Sequence, residues 1–473
     1  MNSVLQLSGV AQSRLLRAGE ISSRELVTAH LQRLDEVNPA LNATVEIFTE
    51  TALAAADEAD TRLRPGREPR PLEGVPFTVK DSIEVAGTVC TAGTLGYRNN
   101  PPSTRDASLV AKIRAAGAIP LAHTNLPDLL FAFESDNLIH GRTNNPYDLT
   151  RTSGGSSGGE AALLATCASP FGLGSDAAGS VRLPAHYCGV ASLKPTSGRL
   201  ARTGHVPPSG GWIETLWQIG PMARRVEDLI ALLPLLITPD GEDRTHIPMP
   251  LAVAPPLSQF RVAFHTDNGI LAADPATAAT VRNAARALEA AGATVEERRP
   301  QALERAYDLE MKFLGPDGGD GLRTFLADIG SHQTHPLLDG WLAKLGEHRT
   351  DIAGFAGYWA EIDAFRTEMH AYLNTCDVLL SPVAAHPAVP HGHTIHDNIF
   401  PGFSYTMAHN LTGWPAAVVR CGTSPEGLPI GVQIAAAPWR EDITLSVALF
   451  LEEALGGWQP PATLWPGAQE PGK

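Results

Sequence analysis

The chain has 473 residues, 43% hydrophobic and 18% charged, a balance that excludes collagen-like, disordered and disulfide-framework chains. Its formal net charge of −15 supplies no field for phosphate backbones or anionic lipid headgroups, so neither nucleic acid nor membrane is an expected partner. The basic pairs Arg224-Arg225 and Arg298-Arg299 read as solvated ends of helices or strands.

Cys90, Cys167, Cys188, Cys376 and Cys421 are scattered without zinc-site spacing and read as reduced core or pocket residues. No metal and no cofactor is expected. The N-terminal residues lack the basic-then-apolar order of a secretory signal, and no apolar run reaches the ~18 residues of a membrane span, so a cytoplasmic protein is expected.

In chain order, residues 1–65 read as helical: Ser22 and Glu25 have capping-box spacing, and Leu26, His30, Leu34 and Val37 share one face. A proline-broken stretch at 64–71 ends this region. Val75 to Val79 then predicts a strand, Ala107 to Ala116 a helix stopped at Gly117, and Ala118 to Ala122 a second strand. Asp274-Pro275 opens a helix with Val281, Ala285 and Leu288 on one face, before a strand from Thr294 to Arg298. The rhythm is that of an α/β fold with a mixed sheet. Residues 300–375 are mostly helical and aromatic-rich (Tyr307, Phe313, Phe325, Trp341, Phe355, Tyr358, Trp359), either packing the sheet or covering a pocket. A short Pro/Gly-rich end closes the chain at 459–473.

The chemistry concentrates at 153–198, where two glycine-serine clusters flank a short helix and a strand. Gly154 to Gly159 lets backbone approach closely, and Asp176 to Ser180, after the strand-like Phe171 to Gly174, can present successive N–H groups to an anion. A flexible linker is excluded because the apolar run from Ala161 follows at once. A phosphate loop is excluded because GxxxxGK[ST] is absent. Gly154-x-Ser156-x-Gly158 satisfies the nucleophile-elbow pattern, yet turn residues precede it where that motif needs a strand. The histidines His186, His205, His386, His393 and His409 are dispersed and offer no rival base.

GGSSGGEAALLA, GLGSDAAGSVRLPA and GVASLKPTSGR together resemble the amidase signature family of serine hydrolases. The likeness extends to Gly74 through Asp81, Asn144-Asn145-Pro146, Gly220 through Arg224, Asn410 through Pro415 and Gly427 through Gln433, and it fades over 240–370. It implies an α/β fold whose mixed sheet is covered by helices on both faces. It also implies one domain over 1–473, with N-terminal helices at 1–65, a signature core at 70–235, a variable helical cover at 240–370 and the rest of the core at 375–455. The family's triad falls on Ser180 as nucleophile, Ser156 as bridging serine after a cis peptide, and Lys80 as base. Ser157 and Asp176 take the supporting positions, and the N–H groups of Ala177, Ala178, Gly179 and Ser180 the oxyanion hole. Ala178 stands where the family often has glycine.

The chemistry of these residue types agrees. A serine hydroxyl needs a base, and lysine serves only when neutral, which requires burial without a carboxylate clamp. Asp81 should therefore face away from Lys80, as consecutive strand residues do. Ser156 would relay the Ser180 proton to Lys80 and return it to the leaving nitrogen. Leu130, Phe131 and Phe133 match a segment that borders the acyl pocket in relatives, which points to bulky apolar or aryl amides; carbamates and esters present the same carbonyl. The runner-up is an amidotransferase subunit of the glutamyl-tRNA type, against which Trp217 stands where an aspartate is expected. The family's habit also leaves a homodimer open.

Overall fold

Successive strand residues point to opposite faces of a sheet, and this period of two sorts the core of the protein into two layers. The computed structural model describes residues 2–464 other than 209. The strands are β1 (Thr44–Ile47), β2 (Pro76–Lys80), β3 (Ile119–Thr124), β4 (Phe171–Asp176), β5 (Ala191–Lys194), β6 (Gln218–Ala223), β7 (Arg261–Phe264), β8 (Thr294–Glu297), β9 (Val378–Pro382), β10 (Ala416–Thr423) and β11 (Pro429–Ala435). They form one 11-stranded sheet in the order β1-β3-β2-β4-β6-β5-β10-β11-β9-β7-β8. The pairs β2/β3, β2/β4, β7/β8 and β7/β9 are parallel and the others antiparallel, so the sheet is mixed as expected.

Phe77 and Val79 of β2, Ile219 and Ala223 of β6, and Ala417 and Val419 of β10 pack against the helices Val226–Leu236, Pro275–Ala290 and Glu441–Leu455 on one face. The residues between them, Met222 and Val418, pack with Ala161, Leu164 and Ala185 of the helices Gly158–Ala165 and Arg182–Cys188 on the other. With both faces covered, β2, β4, β5 and β6 are buried along their whole length. That is why the run from Val75 to Val79 reads as largely apolar, with no polar side.

The N-terminal region carries the expected helices, including Ser23–Leu41 with the Ser22/Glu25 capping box formed. Within it Thr44–Ile47 forms β1 on the sheet edge, a strand too short to betray itself by alternation. The helix Pro275–Ala290 begins at Asp274, whose carboxylate accepts from the N–H groups of Ala276 and Thr277. Residues 240–370 supply β7 and β8 and then four helices, Ala306–Leu314, Asp320–Asp328, Pro336–Gly346 and Ile352–Tyr372. Part of the proline-rich end, from residue 465 on, lies outside the described residues. No helix among the described residues is long and apolar enough to cross a membrane.

One expectation is corrected. Arg224 is fully buried rather than solvated. Its guanidinium donates to the carbonyls of Leu164 (3.2 Å), Ser169 (2.8 Å), Leu5 (2.7 Å) and Leu7 (2.6 Å), and Trp458 covers its face. Helix ends leave carbonyls without partners, and a planar cation with five donors collects several at once. Arg224 thus ties the N-terminal helices to the sheet, a long-range contact that a basic pair in the sequence does not announce.

Removing that tie should cost stability without touching the site. Arg224→Met is expected to lower the unfolding free energy by about 2–4 kcal/mol, the scale of several charge-assisted bonds left unmade. Urea titration checks this, and an unchanged midpoint would contradict it.

Candidate active site

β2 and β4 are parallel neighbours, with Thr78 beside Gly172 and Val79 beside Leu173, so their C-terminal ends lie side by side. β2 ends on Lys80 and β4 on Asp176. Ser156 and Ser157 arrive from the loop before the helix Gly158–Ala165, through a cis peptide between Gly155 and Ser156. At Gly155 a Cβ would press on the backbone of Ala132 and Glu134 at 2.5 Å, so only glycine lets this loop pass.

Lys80 Nζ lies 2.6 Å from Ser156 Oγ, 3.1 Å from Ser175 Oγ and 3.4 Å from the Ser175 carbonyl. Its side chain is fully buried and takes part in no ion pair among the described residues. Burial holds its pKa well below the usual lysine range, against the opposing pull of Asp176 and Glu160. Two neighbouring acids are themselves driven toward the neutral form by burial, Glu160 to about 8 and Asp81 to about 7. Asp81 faces away as expected, bonded to Thr91 and 3.3 Å from His123 Nδ1.

Asp176 keeps its charge. Burial alone would raise its pKa, but the guanidinium of Arg182 at 2.9 Å on each oxygen holds it well below the carboxylate range, helped by Asn410. Asp176 also receives the N–H groups of Gly179 (2.8 Å) and Val181 (3.2 Å), which curls the loop around its carboxylate. Gly179 has φ +125°, and a side chain there would collide with Thr406. Four backbone donors were expected for an oxyanion. The Gly179 N–H is taken by Asp176, while those of Ala177, Ala178 and Ser180 meet no protein acceptor among the described residues. Ala178 is absent from the left-handed residues, so its methyl group is accommodated, and it lines the cavity beside Ser180.

Ser180 is 7% exposed, and its hydroxyl makes no bond to protein among the described residues. Ser157 donates its N–H to the Ser180 carbonyl (3.1 Å) and its hydroxyl to the Ser175 carbonyl (3.4 Å), fixing one loop against the other.

The cavity over these groups has a volume of about 870 Å³ including its mouth. Leu130, Phe131 and Phe133 line it together with Leu129, Ile213, Leu216, Trp217, Leu314 and Trp341. Leu129 and Leu130 sit at φ +48° and +67°, a left-handed turn held by bonds of their N–H groups to the carbonyls of Ala92 and Pro127. Of the aromatic side chains in 300–375, only Trp341 reaches the cavity among the described residues, whereas Phe313 and Trp359 pack together behind it. Asp176 is the one charged residue among the described lining, and Arg182 has claimed it. Among the described residues no group of three or more His, Cys, Asp or Glu side chains gathers as metal ligands.

Ser175, Arg182 and His205 escaped the sequence reading as site residues. Ser175 and Arg182 sit inside the signature, where strand alternation beside Lys80 could have marked Ser175. His205 carries no local signal, since the chain returns it from outside the signature.

The family model described as Amidase matches residues 25–445. The chain belongs to the amidase family, the amidase-signature enzymes. It is 33% identical over 492 residues to fatty-acid amide hydrolase 2-A of Danio rerio, covering 97% of this chain and 91% of that one. It is 31% identical over 477 residues to a glutamyl-tRNA(Gln) amidotransferase subunit of Chloroflexus aggregans, covering 94% and 96%. The solved structure of 6-aminohexanoate cyclic dimer hydrolase superposes with a TM-score of 0.85 at 30% identity, over 98% of this chain and 100% of that one. The chain is an amide C–N hydrolase by family.

A lysine driven toward its neutral form by burial has a stability signature. Because its folded pKa is lowered, the unfolded chain keeps the proton over a pH range in which folded Lys80 has lost it, and over that range Lys80 makes wild-type stability rise with pH up to the ordinary lysine range, by up to about 1.4 kcal/mol per pH unit. Lys80→Met should therefore be more stable than wild type at pH 7, with the advantage shrinking toward pH ~10. Urea unfolding at both values checks it, and a constant or growing advantage would contradict it.

Proposed function

We propose that the protein hydrolyses neutral, apolar or aryl amides through an acyl-enzyme on Ser180, with Ser156 as proton relay and Lys80 as base. The observation that carries this reading is the 2.6 Å contact between Ser156 Oγ and a buried amine that joins no ion pair among the described residues. The substrate carbonyl carbon approaches the Ser180 hydroxyl, which is free of protein partners among the described residues. Ser156 Oγ accepts the Ser180 proton as it passes its own to Lys80 Nζ, and the O–C bond forms. The bond from the Ser180 hydroxyl to Ser156 Oγ forms in the loaded site, since catalytic hydrogen bonds are often made only there.

Charge that develops on the carbonyl oxygen is met by the unoccupied N–H groups of Ala177, Ala178 and Ser180. One well-placed donor of this kind is worth roughly 3–4 kcal/mol of barrier. Lys80, now an ammonium, returns its proton through Ser156 to the leaving nitrogen, because an amide anion would not depart. Water then repeats the sequence on the ester and frees Ser180. The Asp176 carboxylate, kept ionised by Arg182, stays near Lys80 in every step, which eases formation of the ammonium without clamping it.

The apolar lining favours substrates whose bulk is uncharged on both sides of the scissile bond. A carbamate places the same carbonyl and the same C–N bond in the site, so apolar urethanes belong to the proposed range. The kinship to amidotransferase subunits supports a second reading, in which the chain releases ammonia for a partner; the apolar cavity favours the free-standing hydrolase.

Ser180→Ala should abolish amine release from aryl amide, alkyl amide and carbamate substrates while leaving unfolding unchanged, and residual turnover in that variant would refute the nucleophile. The isolated chain should turn over apolar amides with no second protein. Activity that appears only with an added partner protein would favour the amidotransferase.

A further inference from the structure

The segment from Gly204 to Val206 runs antiparallel to Ser82–Glu84, with Val206 N–H on the Ser82 carbonyl (2.7 Å) and Glu84 N–H on the Gly204 carbonyl (2.9 Å). This pairing brings the His205 ring into the wall of the cavity, beside the groups that hold Lys80. Nε2 lies 3.0 Å from Ser175 Oγ and 3.2 Å from Ser82 Oγ, and Nδ1 lies 3.2 Å from the Pro207 carbonyl. Trp217 packs on the ring with 4.4 Å between centroids, and Arg202 covers Trp217 in turn.

A carbonyl only accepts, so Nδ1 carries the hydrogen and Nε2 is the acceptor. Burial keeps the ring neutral, with its pKa down to about 3, and the charge of Arg202 pushes the same way. Two hydroxyls reach the one lone pair of Nε2, and Ser175 at 3.0 Å is nearer than Ser82 at 3.2 Å; with its hydrogen on Nε2, the Ser175 oxygen can only accept from Lys80. A neutral amine has two N–H donors and one lone pair. With two donors for three contacts, a neutral Lys80 that donates to Ser175 Oγ (3.1 Å) and the Ser175 carbonyl (3.4 Å) turns its lone pair to Ser156 Oγ, 2.6 Å away.

We propose that His205 is a positioning residue: by holding the Ser175 hydrogen it fixes the direction of the hydrogen-bond chain and reserves the lone pair of Lys80 for the Ser156 proton. Without it, the Ser175 hydroxyl is free to turn and donate to that lone pair, in competition with Ser156. The proposal rests on Lys80 as base.

The test is a kinetic cycle on an apolar aryl amide. His205→Phe keeps a ring against Trp217 but removes the acceptor, and should lower kcat about tenfold, the scale of one misdirected hydrogen bond, with KM little changed. His205→Gln, which restores an acceptor oxygen, should recover much of the loss. In a Ser175→Ala background there is no hydroxyl to misdirect, so adding His205→Phe should cause no further fall.

Wild-type kcat in His205→Phe, or the same fold loss with and without Ser175, would overturn the proposal. Lys80→Ala separates the two readings. Turnover surviving in that variant refutes the base itself, whereas loss there with an undisturbed His205→Phe refutes only the role of His205.

Discussion

The proposed site depends on one constraint: an amine that is buried, driven toward its neutral form and surrounded by acceptors without being paired to a charge among the described residues. Lys80 lies at the end of the inner strand β2, covered on both faces, and burial removes the ammonium's hydration. The acids nearby would restore the charge if they were free. Asp176 is engaged on both oxygens by Arg182, and Glu160 and Asp81 are held toward their neutral forms by the same burial. The surrounding polar network is thus arranged as much to withhold carboxylates from Lys80 as to bind it.

Asp176 joins this electrostatic arrangement to the geometry of the proposed reaction. Its carboxylate terminates β4, accepts the N–H of Gly179 and Val181, and is anchored by Arg182, which reaches Thr406, Asn410 and Gln433 from later parts of the chain. The loop that presents Ser180 is therefore fixed by residues far from it in sequence. Breaking a buried ion pair of this kind by removing one partner typically costs about 3–5 kcal/mol, so the loop's shape is strongly specified. The apolar cover, from Leu129 to Phe133 and from Leu314 to Trp341, then adds a cavity to a loop that is already built.

Much of this was legible because local rules and the global fold agree. Glycine at 155 and 179 marks a close approach and a left-handed turn, and the apolar runs before Lys80 and Asp176 mark buried strands that end together. The neutral-lysine requirement placed Asp81 on the far side, where it lies. What escaped depends on contacts across long stretches of chain. Arg224 looks like a solvated base until four carbonyls converge on it. The Gly179 N–H looks free until Asp176 takes it, and His205 looks dispersed until an antiparallel pairing returns it to Ser175. Aromatic enrichment in 300–375 left packing and pocket cover undecided, and the two divide: Phe313 and Trp359 pack between helices, and Trp341 alone, among the described residues, reaches the cavity.

The sequence contains six lysines, few enough that the charge on Lys80 can be observed directly. Carbon-13 NMR of lysine side chains, with Lys80→Arg and Lys194→Arg to assign the two buried amines, reads the protonation of each across pH. The Lys80 signal should have the chemical shift of a neutral amine at pH ~7.5 in the resting protein. A Lys80 signal that stays cationic until the ordinary lysine range near pH ~10.4 would contradict the neutral base on which the whole site is built.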